Sequence, residues 1–139
     1  MKKVILSITL LLVSLSSFAQ NKSNVKADEF DKAIRQHTVQ LLDVRRPAEY
    51  AEGHIKGSTL ANWEDKAAFE AHTKHLDKDQ AVYVYCRSGK RSSDAANFLS
   101  EQGFKNVINL EGGILEWKQE GKQVEAGSEN HGTVSVSKH

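Results

Sequence analysis

Cys86 is the only cysteine in the 139-residue chain. It closes an apolar run, Ala81 to Cys86, and Arg87, Lys90 and Arg91 follow within the next five residues. A thiolate, not a thiol, is the nucleophile, and an ordinary cysteine with a pKa near ~8.5 is mostly protonated at neutral pH. Three features favour the anion here. The cations lie close by. A helix beginning near Arg91 would point its N-terminal N–H groups at the loop. Gly89 lets the backbone curl so that several N–H groups face one centre, an anion-binding nest. An inert core cysteine would have apolar neighbours on both sides, so the pattern predicts a charged, partly exposed thiol. The anion held could be the thiolate itself, a sulfur-extended thiolate or a bound oxyanion. A persulfide needs N–H donors around its outer sulfur and a cation to receive an anionic sulfur donor. Arg87 and Arg91 suit the second task, since guanidinium groups make forked bonds to oxyanions.

The elements that must position this loop read as alternating helices and strands. Val25 to Arg35 carries Phe30, Ala33 and Ile34 on one helical face. Val39 to Val44 has strand length, and the polar stretch Arg45 to Glu52 follows with the only proline, Pro47. A short strand and loop fit Ile55 to Ala61. Asn62 is a candidate cap for a helix from Trp63 to His75, with Asp65 at its third position. Ala81 to Cys86 is β-branched and aromatic, the mark of a buried strand. Arg91 to Gln102 is helical with Ala95, Phe98 and Leu99 on one face and Gly103 as its stop. Asn106 to Leu110 is a strand, Gly112-Gly113 a turn, and Ile114 to Gln119 a short helix carrying Trp117. From Val124 the chain is polar and patternless, and 123–139 reads as a flexible tail. This alternation argues for an α/β fold with a mainly parallel sheet covered on both faces. Ligands of such sheets bind beyond the carboxyl ends of the strands, where Cys86 sits.

Length and composition bound the rest. The chain suffices for one domain, placed at 25–122. Residues 1–19 read as a signal peptide: Lys2 and Lys3, an apolar run from Val4 to Leu15, then Ser17-Phe18-Ala19 before the cleavage point. The run is too short to span a bilayer, which takes roughly 20 residues. The mature chain is therefore expected to be exported, periplasmic or secreted, with no membrane segment. The formal charge is only +1 with those two lysines counted, so no electrostatic footprint for nucleic acid is present. A single cysteine in an oxidising compartment suggests intermolecular pairing or a reactive thiol. No metal site is expected. His72 and His75 could share a helix face, but no third ligand is apparent.

The sequence Cys86-Arg87-Ser88-Gly89-Lys90-Arg91-Ser92 resembles the active-site loop of the rhodanese sulfurtransferases. Leu41 to Ser58 is similar to that family's run of Asp-Val-Arg, Glu-Tyr and Gly-His-Ile. Gly103 to Trp117 is similar to its run of Gly-Phe, Val, Leu, Gly-Gly and Trp. The resemblance implies a small rhodanese-like fold: a five-stranded parallel sheet with helices on both faces and no cofactor. It implies that Cys86 takes sulfane sulfur from a small-molecule donor such as thiosulfate, holds it as a persulfide and passes it on. The acceptor would be cyanide, a small thiol or a thiol-containing protein, and the protein would act as a monomer. Arg91 and the loop from Arg87 through Ser88, Gly89 and Lys90 to Ser92 would cradle the persulfide, with Arg87 helping to receive the donor. Asp43 and Arg45 would support the loop without taking part in chemistry, and His54 would be a structural histidine near a turn. Lys56 and Ser58 stand where the family often has proline and alanine.

Two other readings stay open. One is a persulfide carrier or partner-binding module without its own turnover. The other is a cysteine phosphatase or arsenate reductase-like enzyme. Phosphatase loops place five residues between cysteine and arginine, whereas four separate Cys86 from Arg91, a tighter ring that suits sulfur better. Arsenate reduction would need an external thiol, because the chain has no second cysteine.

Overall fold

A computed structural model describes residues 21–127. The signal-peptide segment and the chain beyond Gly127 lie outside the described residues. The elements run β1 (Asn21–Val25), α1 (Ala27–Gln36), β2 (Gln40–Asp43), α2 (Pro47–Glu52), β3 (Thr59–Leu60), α3 (Lys66–Thr73), β4 (Val82–Tyr85), α4 (Lys90–Glu101), β5 (Asn106–Leu110) and α5 (Gly113–Gln119). The five strands form one sheet in the order β1-β5-β4-β2-β3, and every pairing is parallel.

Strand alternation divides the core into two layers. Leu42, Val44, Val82, Val84, Cys86 and Val107 face Phe69 of α3 and Ala95, Ala96 and Leu99 of α4. Leu41, Tyr85, Ile108 and Leu110 face Phe30 of α1 and Ile114 and Trp117 of α5. The sheet is covered on both sides, as its continuous apolar strands require. On the second face Phe30 meets the edges of Tyr83 and Trp117 at centroid distances of 5.3 and 6.3 Å.

Three elements depart from the sequence expectation. β1 has the polar sequence Asn-Lys-Ser-Asn-Val and no apolar alternation. It is an edge strand, held by full register from Asn21↔Asn106 to Val25↔Leu110, and it moves the start of the ordered unit back from Val25. Arg45 to Glu52, read as a polar stretch, contains α2, with Pro47 opening the helix. The fixed φ of proline suits a first helical position, where its missing N–H costs nothing. The helix expected from an Asn62 cap begins later. Asn62 Oδ1 accepts from Glu64 N at 3.1 Å in a turn, and Asp65 Oδ1 caps α3 through Ala68 N at 3.1 Å. α3 ends at Thr73, so His75 is not on it.

The start of the expected tail is docked. Glu125 pairs antiparallel with His54 through two 2.8 Å main-chain bonds, and Gly127 N donates to Ala51 O at 3.0 Å. Trp117 Nε1 donates to Gln123 O at 3.0 Å. Polar side chains hid this segment because main-chain groups hold it.

Candidate active site

The site lies where the chain leaves the middle of the sheet in two directions. From β2 it runs through α2 outward to β3, and from β4 it runs through α4 the other way to β5. Crevices of open parallel sheets form at such divergences, beyond the carboxyl ends of the strands. Cys86 follows β4, and Asp43 and Arg45 stand at the end of β2.

The loop from Cys86 to α4 is shaped by close main-chain packing. Gly89 has φ +100°, and a Cβ there would come within 2.1 Å of the Glu111 carbonyl. Gly113 has φ +61°, and a Cβ would meet the Arg87 carbonyl at 2.3 Å. Only glycine allows both the left-handed backbone and the approach. The contact is then sealed by Ile114 N donating to Cys86 O at 2.9 Å and Leu115 N to Arg87 O at 3.1 Å. The two glycines thus press the loop onto the β5–α5 turn and fix its curl.

That curl turns donors toward the sulfur. Gly89 N reaches Cys86 Sγ at 3.1 Å and Ser92 Oγ reaches it at 3.3 Å. Burial pushes the Cys86 thiol up; hydrogen bonds from the Ser92 hydroxyl and from the amides of Ser92, Gly89 and Ser88 outweigh it and leave the group below its ordinary value. Sequence reasoning placed the thiol partly exposed. Instead Cys86 is only 1 % exposed and counts among the core residues of the α3–α4 face. The exposed members of the loop are Arg87, Ser88 and Lys90. The sulfur is buried, while the charged residues of its loop, Arg87 and Lys90, are exposed.

Arg91 sits differently from expectation. Its two terminal nitrogens make a forked pair with Glu49 of α2, each at 2.8 Å. Glu49 raises Arg91 above its ordinary value, with burial opposing and the Cys86 charge adding to the rise. Glu49 in turn is lowered to about 2, first by Arg91, against burial, and then by the Arg46 amide. That amide donates to Glu49 Oε2 at 3.0 Å, the N-terminal half of a capping box. Arg91 therefore acts on the sulfur by its charge from the first turn of α4, while its forked bonds tie α4 to α2. The sequence matched Glu49-Tyr50 to a family motif but gave Glu49 no role. Its signal was the Pro47 that opens a helix with a carboxylate at the third position.

Asp43 and Arg45 form a second forked pair. Arg45 Nε reaches Asp43 Oδ1 at 2.9 Å and Arg45 NH2 reaches Oδ2 at 2.7 Å. Arg45 NH2 also donates to Gly53 O at 2.7 Å. The pair thus braces the turn after α2, with no direct bond to the loop of Cys86. His54 stacks on Tyr50 at 3.8 Å and donates from Nδ1 to Tyr50 O at 2.9 Å. It belongs to the same turn. Ser58 Oγ lies 3.0 Å from the Tyr85 hydroxyl, which accepts from Ile55 N at 2.9 Å, so this serine has a partner an alanine would lack. Among the described residues, no group of three or more His, Cys, Asp or Glu side chains could hold a metal ion.

This architecture matches a known family. Residues 26–120 fit the model of the Rhodanese-like domain. The chain is 38 % identical over 106 residues to the putative sulfurtransferase YtwF of Bacillus subtilis (strain 168), covering 76 % of this chain and 91 % of that protein. It is 32 % identical over 114 residues to the tRNA uridine(34) hydroxylase of Pelagibacter ubique (strain HTCC1062), covering 82 % of this chain but only 38 % of that longer protein. Its backbone superposes on a rhodanese-like domain protein from Staphylococcus aureus with a TM-score of 0.65 and 26 % identity, over 76 % of this chain and 99 % of that one. With its sheet order, its glycine-pinned cysteine loop and this match over most of its length, the chain belongs to the rhodanese-like family.

Proposed function

We propose that the protein is a sulfurtransferase that moves sulfane sulfur through a persulfide on Cys86. The observation that carries this reading is the donor ring: Gly89 N and Ser92 Oγ converge on Sγ at 3.1 and 3.3 Å at the start of α4. A ring that holds one sulfur anion can hold the extended one, because a persulfide spreads the same charge over a second sulfur. Exposed Arg87 and Lys90 of the loop suit an anionic donor. With thiosulfate, Cys86 thiolate attacks the outer sulfur, the S–S bond of the donor breaks, and sulfite leaves with the electron pair. The persulfide anion then loses its outer sulfur to a second nucleophile. Cyanide gives thiocyanate; a small thiol or a protein thiol gives a new persulfide. Either way Cys86 thiolate is restored.

The four-residue spacing to Arg91, whose forked bonds go to Glu49, disfavours a phosphatase cradle. The basic start and the small residues before Gln20 support work outside the cytoplasm. Incubation with thiosulfate followed by intact-mass measurement tests the reading. Wild type gains one sulfur and Cys86→Ser gains none. No gain on wild type, or an equal gain on the variant, rejects it. Thiocyanate formation, measured beside phosphate release from a chromogenic ester, separates the two enzyme classes.

A further inference from the structure

The Ser92 hydroxyl has two acceptors and one proton. Its Oγ lies 3.3 Å from Cys86 Sγ and 3.2 Å from the Gly89 carbonyl. A hydroxyl donates once, so the proton serves either the sulfur or the carbonyl. What decides is how well the carbonyl is supplied by others. Gly89 O accepts from Ser93 N at 3.1 Å, an ordinary helical bond. It also accepts from Asn109 Nδ2 at 3.3 Å. A carbonyl has two lone pairs, and these two donors fill them.

Asn109 lies in β5, is 3 % exposed and comes from a different element than the loop. Its Nδ2 serves both Gly89 O and Asn24 Oδ1, the latter at 3.1 Å, while its own Oδ1 is buried with no hydrogen-bond partner among the described residues. A buried orphan acceptor carries a free-energy penalty. The side chain is thus arranged for what its amide nitrogen gives. We propose that Asn109 is a positioning residue: by occupying the Gly89 carbonyl it assigns the single Ser92 hydroxyl proton to the Cys86 sulfur. Without it, the carbonyl has room for Ser92, and the sulfur loses its side-chain donor.

This inference rests on Cys86 being the reacting sulfur, and its test needs no sulfur donor. The chain has one cysteine, so the ultraviolet absorbance of the thiolate titrates that group alone among thiols. Four proteins are compared: wild type, Ser92→Ala, Asn109→Leu and the double variant. The charged groups around the site are Arg87 and Lys90 of the loop, Arg91 of α4 with Glu49 of α2, Arg46 and Glu64 beside that pair, and the Asp43–Arg45 pair at the end of β2. None of them changes in any of the four.

Ser92→Ala raises the thiol pKa by about one unit, the worth of a hydrogen bond to a charged group. Asn109→Leu raises it by a similar amount when Ser92 is present and adds nothing when Ser92 is absent. An equal rise from Asn109→Leu in both backgrounds overturns the proposal, because the effect then comes from packing. A rise in Ser92→Ala alone, with none in Asn109→Leu, also overturns it, as does no rise in Ser92→Ala. Where leucine is not accommodated, Asn109→Ala carries the same comparison. Should the persulfide experiment fail while this cycle shows coupling, sulfur transfer falls and the proton assignment stands.

Discussion

Two forked arginine–carboxylate pairs flank the same crevice, and they are built for different ends. The side chains of Arg45 and Asp43 are 5 % and 0 % exposed, two residues apart in sequence, and share their turn with the Gly53 carbonyl. Those of Arg91 and Glu49 are 23 % and 25 % exposed, 42 positions apart, and join two helices. A charge sealed from water must keep its partner, because removing one ion leaves the other desolvated and unpaired. A pair left about a quarter exposed keeps some access to water, so losing one partner costs less. The inner pair is therefore a brace and the outer pair a means of tuning the field at the sulfur.

Breaking the brace should have the largest effect. Asp43→Ala strands the Arg45 guanidinium and should lower unfolding stability by about 3–5 kcal/mol. Chemical denaturation checks it; a loss below about 1 kcal/mol would erase the distinction between the pairs.

The outer pair should cost less stability when broken and change the reactivity of the sulfur more. Glu49→Gln should lower stability at neutral pH by about 1.5–3 kcal/mol, less than Asp43→Ala. It removes the negative partner of Arg91, so the thiol pKa should fall and reaction with an anionic donor should speed up, both effects shrinking as salt is added. The pH dependence follows from Glu49 lying at about 2 in the folded state, below its ordinary value of about 4.3. The folded state holds fewer protons there, so the contribution of Glu49 is complete above about pH 4.3 and is lost as pH falls toward 2. Urea midpoints of wild type and Glu49→Gln should differ near neutrality and converge at the acid end. A gap that persists at the acid end would mean the carboxylate charge is not what matters.

The smallest effect belongs to a neutral contact beside the brace. Ser58→Ala removes one of the Tyr85 hydroxyl's partners and leaves Ile55 N in place. It should cost about 0.5–1.5 kcal/mol, visible as a small shift in denaturation midpoint. A loss as large as that of Asp43→Ala would show that the hydroxyl network, not the ion pair, braces this turn.

Much of this site was legible in sequence because it is local. Cys86, Gly89 and Ser92 fall within seven residues, so loop and helix start could be read together. The apolar strands β2, β4 and β5 announced themselves by composition. What stayed hidden depends on contacts between distant segments. Glu49 meets Arg91 only because α2 and α4 begin at neighbouring strand ends. Asn109 reads as one more residue of a strand until the Gly89 carbonyl is placed above it. β1 and the docked stretch 124–127 are held by main-chain bonds, to which side-chain periodicity is blind. The burial of Cys86 itself was misjudged, since cations next to it in sequence turn outward while the sulfur turns inward.

A recessed sulfur next to outward-facing charge sets a rule of size. To reach the empty thiolate a reagent must be slender, and thiosulfate presents its reactive atom at the end of a small ion. On the proposed persulfide route, the transferable atom would stand one S–S bond, about 2 Å, beyond the Cys86 sulfur. That route would let a broader acceptor take the sulfur than could touch the unloaded thiolate, so loading and unloading would select for different shapes.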